Sequence, residues 1–204
     1  GRSYGGFPVG KYTFLVGDSS AGKTWLSLSC LAEASNNTAF SGHRFIYDNG
    51  EDGALMDMER FFGRGVAKRI EPPKGTRSKP EYSATVEEFY FNVDDAIKEG
   101  KPFIYILDSE NSLDSKSADK KFKEHKAART PTAEKAAGSY GDGKAKYHSE
   151  HLRRILKPLG EMNSILIVIS QTRDNLGFGF EKKTRSGGRA LKFYAALECW
   201  ASVV

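Results

Sequence analysis

GDSSAGKT, from Gly17 to Thr24, decides the fold, because it follows an apolar run of strand length, Tyr12 to Val16, and opens a helix-length stretch. In this GxxxxGK[ST] spacing the glycines let the backbone wrap so that successive N–H groups face a phosphate at the positive end of the helix. Lys23 would neutralise the outer phosphates, and Thr24 would offer its hydroxyl to Mg²⁺. The motif therefore predicts a site for a nucleoside triphosphate with Mg²⁺, and ATP is the expected nucleotide. The predicted nucleotide-binding residues are Gly17, Asp18, Ser19, Ser20, Ala21, Gly22, Lys23 and Thr24.

The pattern around this loop is that of an α/β protein with a mostly parallel central sheet flanked by helices. Short apolar runs alternate with helix-length amphipathic stretches. The predicted strands are Tyr12 to Val16, Arg44 to Asp48, Phe103 to Asp108, Ser164 to Ser170 and Ala190 to Val204. The predicted helices are Lys23 to Ala34, Ala54 to Phe62, Thr85 to Glu99 and Lys146 to Leu159. Residues 1–204 fit a single domain, with irregular stretches at Glu71 to Tyr82 and Ser112 to Lys146.

The amino-acid composition argues against a disordered or a fibrous protein. Hydrophobic residues make up 39% and charged residues 28%, as in ordinary globular proteins. The formal net charge of +5 and the pI near 9.1 are compatible with a polyanionic partner without requiring one. Cys30 and Cys199 have no CxxC spacing, which predicts buried thiols in a reducing compartment. We see no hydrophobic leader and no membrane-length apolar run, so we expect a cytosolic protein without a membrane association.

Polar residues that end the predicted strands converge on one edge of such a sheet, where ligands bind. Asp108 closes the apolar run FIYILD and is the expected support for the magnesium ion. The next residue is Ser109, whereas many ATPases of the AAA type place a water-activating carboxylate at that position, which argues for a base supplied elsewhere in this chain. Glu51, just after the second strand, is the favoured base, and Glu110 is the competing one. Gln171 follows the strand SILIVIS and could reach a γ-phosphate or its attacking water through the side-chain amide.

With these pieces in order, the chain resembles the RecA family of recombination ATPases over nearly all of its length. The most specific segment is SGGRALKFYAAL, residues 186 to 197, which is similar to a segment of that family and is not a general ATPase feature. The opening GGFPVGKYTFLVG, the pair Asp108-Ser109 and the run ISQTRDNLG from Ile169 to Gly177 match in the same order. The stretch YDNGEDGALMDMERFFG looks more like a phage-encoded member than a bacterial housekeeping one.

The resemblance implies a RecA-like P-loop core with the same site residues. In it Lys23 and Thr24 bind nucleotide and magnesium, Asp108 supports the metal, Glu51 activates water and Gln171 senses the γ-phosphate. It also implies that Arg173 to Gly188 is a mobile loop that touches single-stranded DNA, and that Gly138 to Lys146 corresponds to a second such loop. Lys192 and Phe193 would lie near a subunit interface of a homo-oligomer, either a filament or a ring.

Charge gives a separate argument for DNA binding by the first of these loops. Residues 173 to 192 carry six Lys or Arg against Asp174 and Glu181, a net charge of +4. Interleaved phenylalanines and glycines add rings that could stack on bases and a flexible backbone. The expected DNA-binding residues are Arg173, Phe178, Phe180, Lys182, Lys183, Arg185, Gly187, Gly188 and Arg189. Lys116 to Lys146 is also Lys-rich but contains several acids, so a solvated surface is an equal alternative there.

Three functions fit these features. The first is a DNA-dependent ATPase of homologous recombination and repair that hydrolyses ATP to ADP and phosphate; in it ATP orders the loop after Gln171 to grip single-stranded DNA. The second is a hexameric helicase-type motor, and the third is an annealing mediator or loader that uses ATP as a switch. ALKFYAAL favours the first over the second, and the segments of the family that the chain lacks on either side leave the third open. Because the chain starts just before the first strand and stops after LECWASVV, with Glu198 where bacterial members carry an arginine, we expect a core fragment or a minimal member.

Overall fold

The structure is a computed structural model that describes residues 6–51, 57–115, 139–174, 183–185 and 188–203, with the backbone alone at 139–143, 173–174 and 183–185. The strands in these residues are β1 (Tyr12–Gly17), β2 (Arg44–Asp48), β3 (Ile70–Glu71), β4 (Lys74–Thr76), β5 (Lys79–Glu81), β6 (Phe103–Leu107), β7 (Ile165–Asp174), β8 (Lys183–Arg185) and β9 (Leu197–Ala201). The helices are α1 (Lys23–Asn36), α2 (Met58–Phe62), α3 (Arg64–Arg69), α4 (Val86–Lys98), α5 (Ser139–Glu161) and α6 (Gly188–Tyr194).

Six parallel strands form the central sheet in the order β3-β2-β6-β7-β1-β9. β8 pairs antiparallel with the far end of β7, and β4 and β5 form a separate antiparallel ribbon. The α/β class and the mostly parallel central sheet predicted from the sequence are confirmed. Because the six strands run in one direction, the loops after β1, β2, β6 and β7 open at one edge of the sheet, the carboxyl edge.

The core lies on both faces of this sheet, since neighbouring residues of a strand point to opposite sides. Tyr12, Phe14 and Val16 of β1 pack on the face covered by α4, α5 and α6, whereas Leu15 packs on the face covered by α1 and α3. β1 and β6 are buried at every residue, which explains why the sequence shows continuous apolar runs there rather than alternation.

Local sequence explains where the covering helices begin. Thr85 accepts a hydrogen bond from the Glu88 backbone N–H, and the Glu88 carboxylate accepts one from the Thr85 backbone N–H, so both ends of a capping box are present at α4. The sequence prediction of a helix over Thr85 to Glu99 is therefore correct to within a residue at each end.

The predicted strand over Ala190 to Val204 is wrong in its first half. Residues 188–194 form α6, with Leu191 fully buried and Phe193 78% exposed, and the strand begins only at Leu197. Ala, Leu and Lys are strong helix formers, and an apolar run alone does not separate a helix from a strand. The Ala196 N–H donates to the Tyr12 carbonyl at 2.9 Å, which is where pairing with β1 starts.

Other boundaries also differ from the sequence predictions. Glu71 to Tyr82, expected to be irregular, contains the β4–β5 ribbon, and the predicted strand over Ser164 to Ser170 continues to Asp174. Residues 139–146, expected to belong to a second DNA loop, are the first turns of α5, while 116–138 lie outside the described residues. The start of the helix predicted at Ala54 also lies outside them, and α2 covers Met58–Phe62.

The cysteines and the helix lengths can be compared with the expectations from composition. Cys30 and Cys199, expected to be buried, are each only partly buried, and burial raises the pKa of the Cys30 thiol to about 11. In the part of the chain that the structure describes, no helix has the length and apolar character needed to cross a membrane.

Candidate nucleotide site

The loop from Gly17 to Thr24, the P-loop, connects β1 to α1 at the carboxyl edge of the sheet. Gly22 is in the left-handed region, with a φ of 80°, at the N-cap of α1. A Cβ at Gly17 would lie 2.3 Å from the Ala201 carbonyl oxygen of β9, so a side chain there would push the strands apart. Both glycines of the motif are therefore required by the backbone, which leaves the N-terminus of α1 open to a ligand.

Lys23 is almost completely buried at 8% exposure, and its ammonium group folds back onto its own loop. Nζ donates to the Gly17 carbonyl at 2.9 Å and to the Asp18 carbonyl at 2.5 Å. Burial lowers the pKa of Lys23, against the opposing fields of the Asp108, Glu51 and Asp18 carboxylates. The ammonium group is thus held beside the P-loop at the start of α1.

Thr24 and Asp108, the two residues expected to bind Mg²⁺, are in direct contact. Thr24 Oγ1 donates to Asp108 Oδ2 at 2.7 Å, and the Tyr47 hydroxyl donates to the same oxygen at 3.0 Å. Burial raises the pKa of Asp108, and the two hydrogen bonds act in the opposite direction. Sequence reasoning missed Tyr47, although its position just before the end of β2 is the signal that a polar tip could reach the site.

These ligands suit Mg²⁺. Among the described residues no group of three or more His, Cys, Asp or Glu side chains could hold a metal ion. Mg²⁺ commonly binds one or two protein oxygens and completes its octahedral shell with water and substrate phosphates. A threonine hydroxyl beside one carboxylate, at the mouth of a P-loop, fits that requirement.

Glu51 is held beside Asp108 and Ser109 by hydrogen bonds of its backbone and of its side chain. The Glu51 N–H donates to the Asp108 carbonyl at 3.1 Å, and the buried Ser109 donates its hydroxyl hydrogen to Glu51 Oε1 at 2.5 Å. Gln171 Nε2 donates to the same oxygen at 3.0 Å. The carboxylate and the amide predicted from the sequence to act at the γ-phosphate are therefore in direct contact.

These side chains share one pocket of about 250 Å³. Its lining residues are Ser19, Ser20, Ala21, Gly22, Lys23, Thr24, Trp25, Glu51, Asp108 and Gln171. Apart from Trp25, every one of them is a residue that the sequence singled out. Gly17 and Asp18 lie just behind it, as acceptors of the Lys23 ammonium group.

Glu110, the competing base, points elsewhere. Its side chain is fully buried, with Oε1 at 3.3 Å from His148 Nε2 and 3.8 Å from Lys144 Nζ of α5. The other ring nitrogen of His148 shares a hydrogen bond of 2.8 Å with the Tyr90 hydroxyl. Glu110 therefore belongs to a buried polar network under α5 rather than to the lining of the pocket.

The end of β7 is fixed by side chains that sequence reasoning did not find. Asn111 Oδ1 accepts from the Gln171 N–H at 2.7 Å and from Ser170 Oγ at 3.1 Å. Thr172 Oγ1 donates to Asp18 Oδ1 in the P-loop. No residue spacing in the sequence indicates these contacts, because they join parts of the chain that are 60 and 154 positions apart.

A buried carboxylate fixes the end of β2 in a similar way. Asp48 is fully buried and accepts from the Ser83 N–H at 2.8 Å, the Ser83 hydroxyl at 2.6 Å and the Tyr105 hydroxyl at 2.6 Å. Burial raises the pKa of Asp48 despite these three hydrogen bonds. The Asp108 N–H donates to the Asp48 carbonyl at 2.9 Å, so the anchored ends of β2 and β6 set the spacing between Glu51 and Asp108.

The residues expected to bind DNA are only partly within the described structure. Arg173 lies near the end of β7, and Lys183 and Arg185 lie in β8. The two strands pair at Thr172↔Arg185, Arg173↔Thr184 and Asp174↔Lys183. Gly188 and Arg189 are exposed at the start of α6. Phe178, Phe180, Lys182 and Gly187 lie outside the described residues. The segment thus starts at Gln171 in the pocket and ends at α6.

Lys192 and Phe193 lie on the outer side of α6. Both are exposed, and Phe193 packs edge to face on Tyr194 with ring centroids 5.0 Å apart. Their role at a subunit interface stays a prediction.

Comparison with known proteins gives one consistent answer. Residues 109–201 match the RecA N-terminal domain family. The Protein RecA of Chlorobaculum parvum is 30% identical over 95% of this chain and 48% of its own length. Those of Chlorobaculum tepidum and Cytophaga hutchinsonii are each 29% identical over 95% of the chain, covering 49% and 47% of their own lengths. The chain spans about half the length of the curated relatives it matches.

Proposed function

From the premise that the chain belongs to the RecA family, we propose that it is an ATP-dependent recombinase of the RecA type. In this proposal it binds ATP with Mg²⁺ at the P-loop, grips single-stranded DNA through the segment after Gln171, and hydrolyses ATP faster when DNA is bound. It would act as a homo-oligomer in homologous recombination and repair. Its location would be the cytosol of a bacterium or of a phage-infected host.

One observation carries the proposal: the Gln171 amide donates to the Glu51 carboxylate at 3.0 Å inside the pocket that contains the P-loop. Gln171 is also the residue from which β7 continues into the basic segment of net charge +4. A γ-phosphate entering the pocket would compete for the same amide. Binding or loss of the γ-phosphate would therefore change the contacts of Gln171, the residue at which the proposed DNA-binding segment starts.

The P-loop residues would bind and orient the triphosphate. Lys23 Nζ, now satisfied by two carbonyl groups of its own loop, would exchange them for phosphate oxygens, while the N–H groups at the start of α1 face the phosphates. When bound, Mg²⁺ would supply positive charge that offsets the negative charge of the triphosphate. Thr24 Oγ1 and Asp108 Oδ2 are the atoms that would hold it.

Glu51 would accept a proton from the attacking water. Ser109 and Gln171 both donate to Oε1 and so fix the orientation of the carboxylate. Oε2 receives neither of these hydrogen bonds and is the oxygen that would take the proton. Glu51 lines the pocket, whereas Glu110 is bonded to His148 on the other side. This geometry supports Glu51 over Glu110, because a general base must reach the proton that it abstracts.

The test combines turnover with electron microscopy. We expect ATP hydrolysis to rise when single-stranded DNA is added, and Lys23→Ala to abolish ATP binding or turnover. Electron microscopy of the protein with single-stranded DNA and a non-hydrolysable ATP analogue should show a helical filament. A ring would instead support a hexameric motor, and DNA binding with neither assembly would support an annealing mediator. Turnover that is indifferent to DNA would overturn the proposal.

A further inference from the structure

A second basic region lies far from the segment after Gln171 in the sequence. Residues 64 to 80 carry six Lys or Arg against the single acid Glu71, a net charge of +5. Residues 173 to 192 carry a net charge of +4, and the whole chain carries +5. Residues 116 to 146 are also basic, with nine Lys or Arg against four Asp or Glu, and the rest of the chain is net acidic. Among these basic regions, residues 64 to 80 lie wholly within the part of the chain that the structure describes.

Part of this region is the β4–β5 ribbon, with its basic side chains on one face. Lys74 lies opposite Glu81 and Thr76 lies opposite Lys79. Residues directly opposite, and residues two apart on a strand, share a face. Lys74, Thr76, Lys79 and Glu81 are therefore on one face, Gly75 and Pro80 are on the other, and all six are exposed.

The ribbon is fixed to the body of the protein. Arg77 Nε donates to the Ile70 carbonyl of β3 at 2.8 Å, which ties the turn to the edge strand. The segment leaves the sheet at the carboxyl end of β3 and returns at Ser83, whose N–H donates to the buried Asp48 at 2.8 Å. The return end is thus anchored at the carboxyl edge, the edge that carries the P-loop, whereas β3 lies opposite Phe45 and Ile46 in the first half of β2.

Nearby acids do not neutralise the ribbon fully. Glu71 Oε1 is 2.6 Å from Arg44 Nε, in an ion pair that points toward β2. Lys68, Lys74 and Lys79 form no ion pair with another described residue. Glu81 is the one acid on the basic face of the ribbon, where it partly offsets the two lysines.

We propose that the β4–β5 ribbon binds the phosphate backbone of duplex DNA. The inference rests on the proposed function, which supplies a nucleic-acid partner. Two features favour a duplex over a single strand. A two-stranded ribbon fits a groove of B-DNA. Surfaces for single strands combine basic residues with aromatic rings that stack on bases, and residues 74 to 81 contain no aromatic residue, whereas the segment after Gln171 contains Phe178 and Phe180.

The test changes the charge of the ribbon in both directions. In Lys74→Gln/Lys79→Gln, we expect duplex affinity, measured by fluorescence anisotropy with a blunt-ended duplex, to fall roughly tenfold at low salt, with a salt slope smaller by about 2. Glu81→Gln should raise duplex affinity, which no purely structural role of the ribbon predicts. Binding of poly-dT in the presence of the ATP analogue should be unchanged in both variants.

The matched control is Lys11→Gln/Lys101→Gln. It removes two exposed lysines that precede β1 and β6, at the opposite edge of the sheet. The inference is overturned if the ribbon variant loses no more duplex affinity than this control, if poly-dT binding falls by the same factor, or if the unchanged protein does not bind duplex. Failure of the proposed function looks different, because the unchanged protein would then not bind poly-dT with the ATP analogue.

Discussion

Thr172 donates its hydroxyl hydrogen to a carboxylate oxygen of Asp18, so the end of β7 is bonded directly to the P-loop. The preceding residue, Gln171, donates to Glu51 beside β6. Glu51 lies in the loop after β2, and Asp18 lies in the loop after β1. Two consecutive side chains therefore bond the end of β7 to loops that lie on opposite sides of it in the sheet. The start of the basic segment is thereby linked to both halves of the nucleotide site.

We predict that Thr172→Val uncouples DNA binding from ATP turnover. Valine has the shape of threonine but cannot donate to Asp18, and a hydrogen bond to a charged group contributes about 1.5–3 kcal/mol. The stimulation of ATP hydrolysis by single-stranded DNA should fall on the order of tenfold, with ATP binding retained. Thr172→Ser keeps the hydroxyl and should behave like the unchanged protein. Equal stimulation in the valine and serine variants would remove this contact from the coupling.

The two candidate bases can be separated by a matched pair of substitutions. Glu51→Gln should bind ATP without hydrolysing it, because the amide can still accept from Ser109 and Gln171 but cannot take a proton from water. We expect a loss of about 10² to 10⁴ in turnover, measured as phosphate release. Glu110→Gln should lower stability through its buried contact with His148 while leaving turnover of the folded protein within a few fold. The reverse pattern would assign the base to Glu110.

Much of this site could be predicted from local sequence. The P-loop, Asp108, Glu51 and Gln171 each follow a strand that the apolar runs define, and parallel strands bring their carboxyl ends to one edge. Strand boundaries were accurate where the strand is buried on both faces, as at β2. The sequence was therefore sufficient to predict that these residues lie close together, because a parallel sheet places the ends of its strands side by side.

What could not be predicted depends on long-range packing. α6 differs from the predicted strand because a run such as ALKFYAA can form either a helix or a strand, and only its packing, with Leu191 buried in the core, decides between them. Contacts of Tyr47, Asn111 and Asp18 depend on how far strand ends are offset, which no periodicity encodes. The β4–β5 ribbon was missed because its strands have three residues each and contain Pro and Gly.

The raised pKa of Asp108 predicts how magnesium-dependent turnover changes with pH. Burial makes the charged form costly, so Asp108 takes up a proton at a higher pH than an ordinary aspartate, whose pKa is about 3.9. Turnover should therefore fall as the pH is lowered, starting above the range of an exposed carboxyl group. Added Mg²⁺ should shift the fall to lower pH, because the metal competes with the proton.

The contribution of Asp108 to the free energy of unfolding of the nucleotide-free protein should rise as the pH is lowered, whereas turnover falls. A pKa that is raised on folding means that the folded state binds the proton more tightly, so the Asp108 contribution improves as the pH falls toward the unfolded value. Asp108→Asn removes the charge and keeps an oxygen that can accept from Thr24 and Tyr47. At neutral pH the variant should unfold at a temperature no lower than that of the unchanged protein, and this difference should shrink in acid. A difference that grows in acid would contradict the pKa direction.

The last prediction concerns the basic segment itself. Lys182→Ala/Lys183→Ala/Arg185→Ala removes three of its six positive charges, so single-stranded DNA affinity should fall and its salt dependence should become less steep by about 2. The control Lys11→Ala/Lys101→Ala/Lys157→Ala removes the same charge from exposed positions outside this segment and outside the ribbon. Both effects are read from anisotropy with poly-dT over a salt series in the presence of the ATP analogue. If the two triple variants lose affinity equally, the loss reflects net charge alone, and the segment after Gln171 is not the single-strand site.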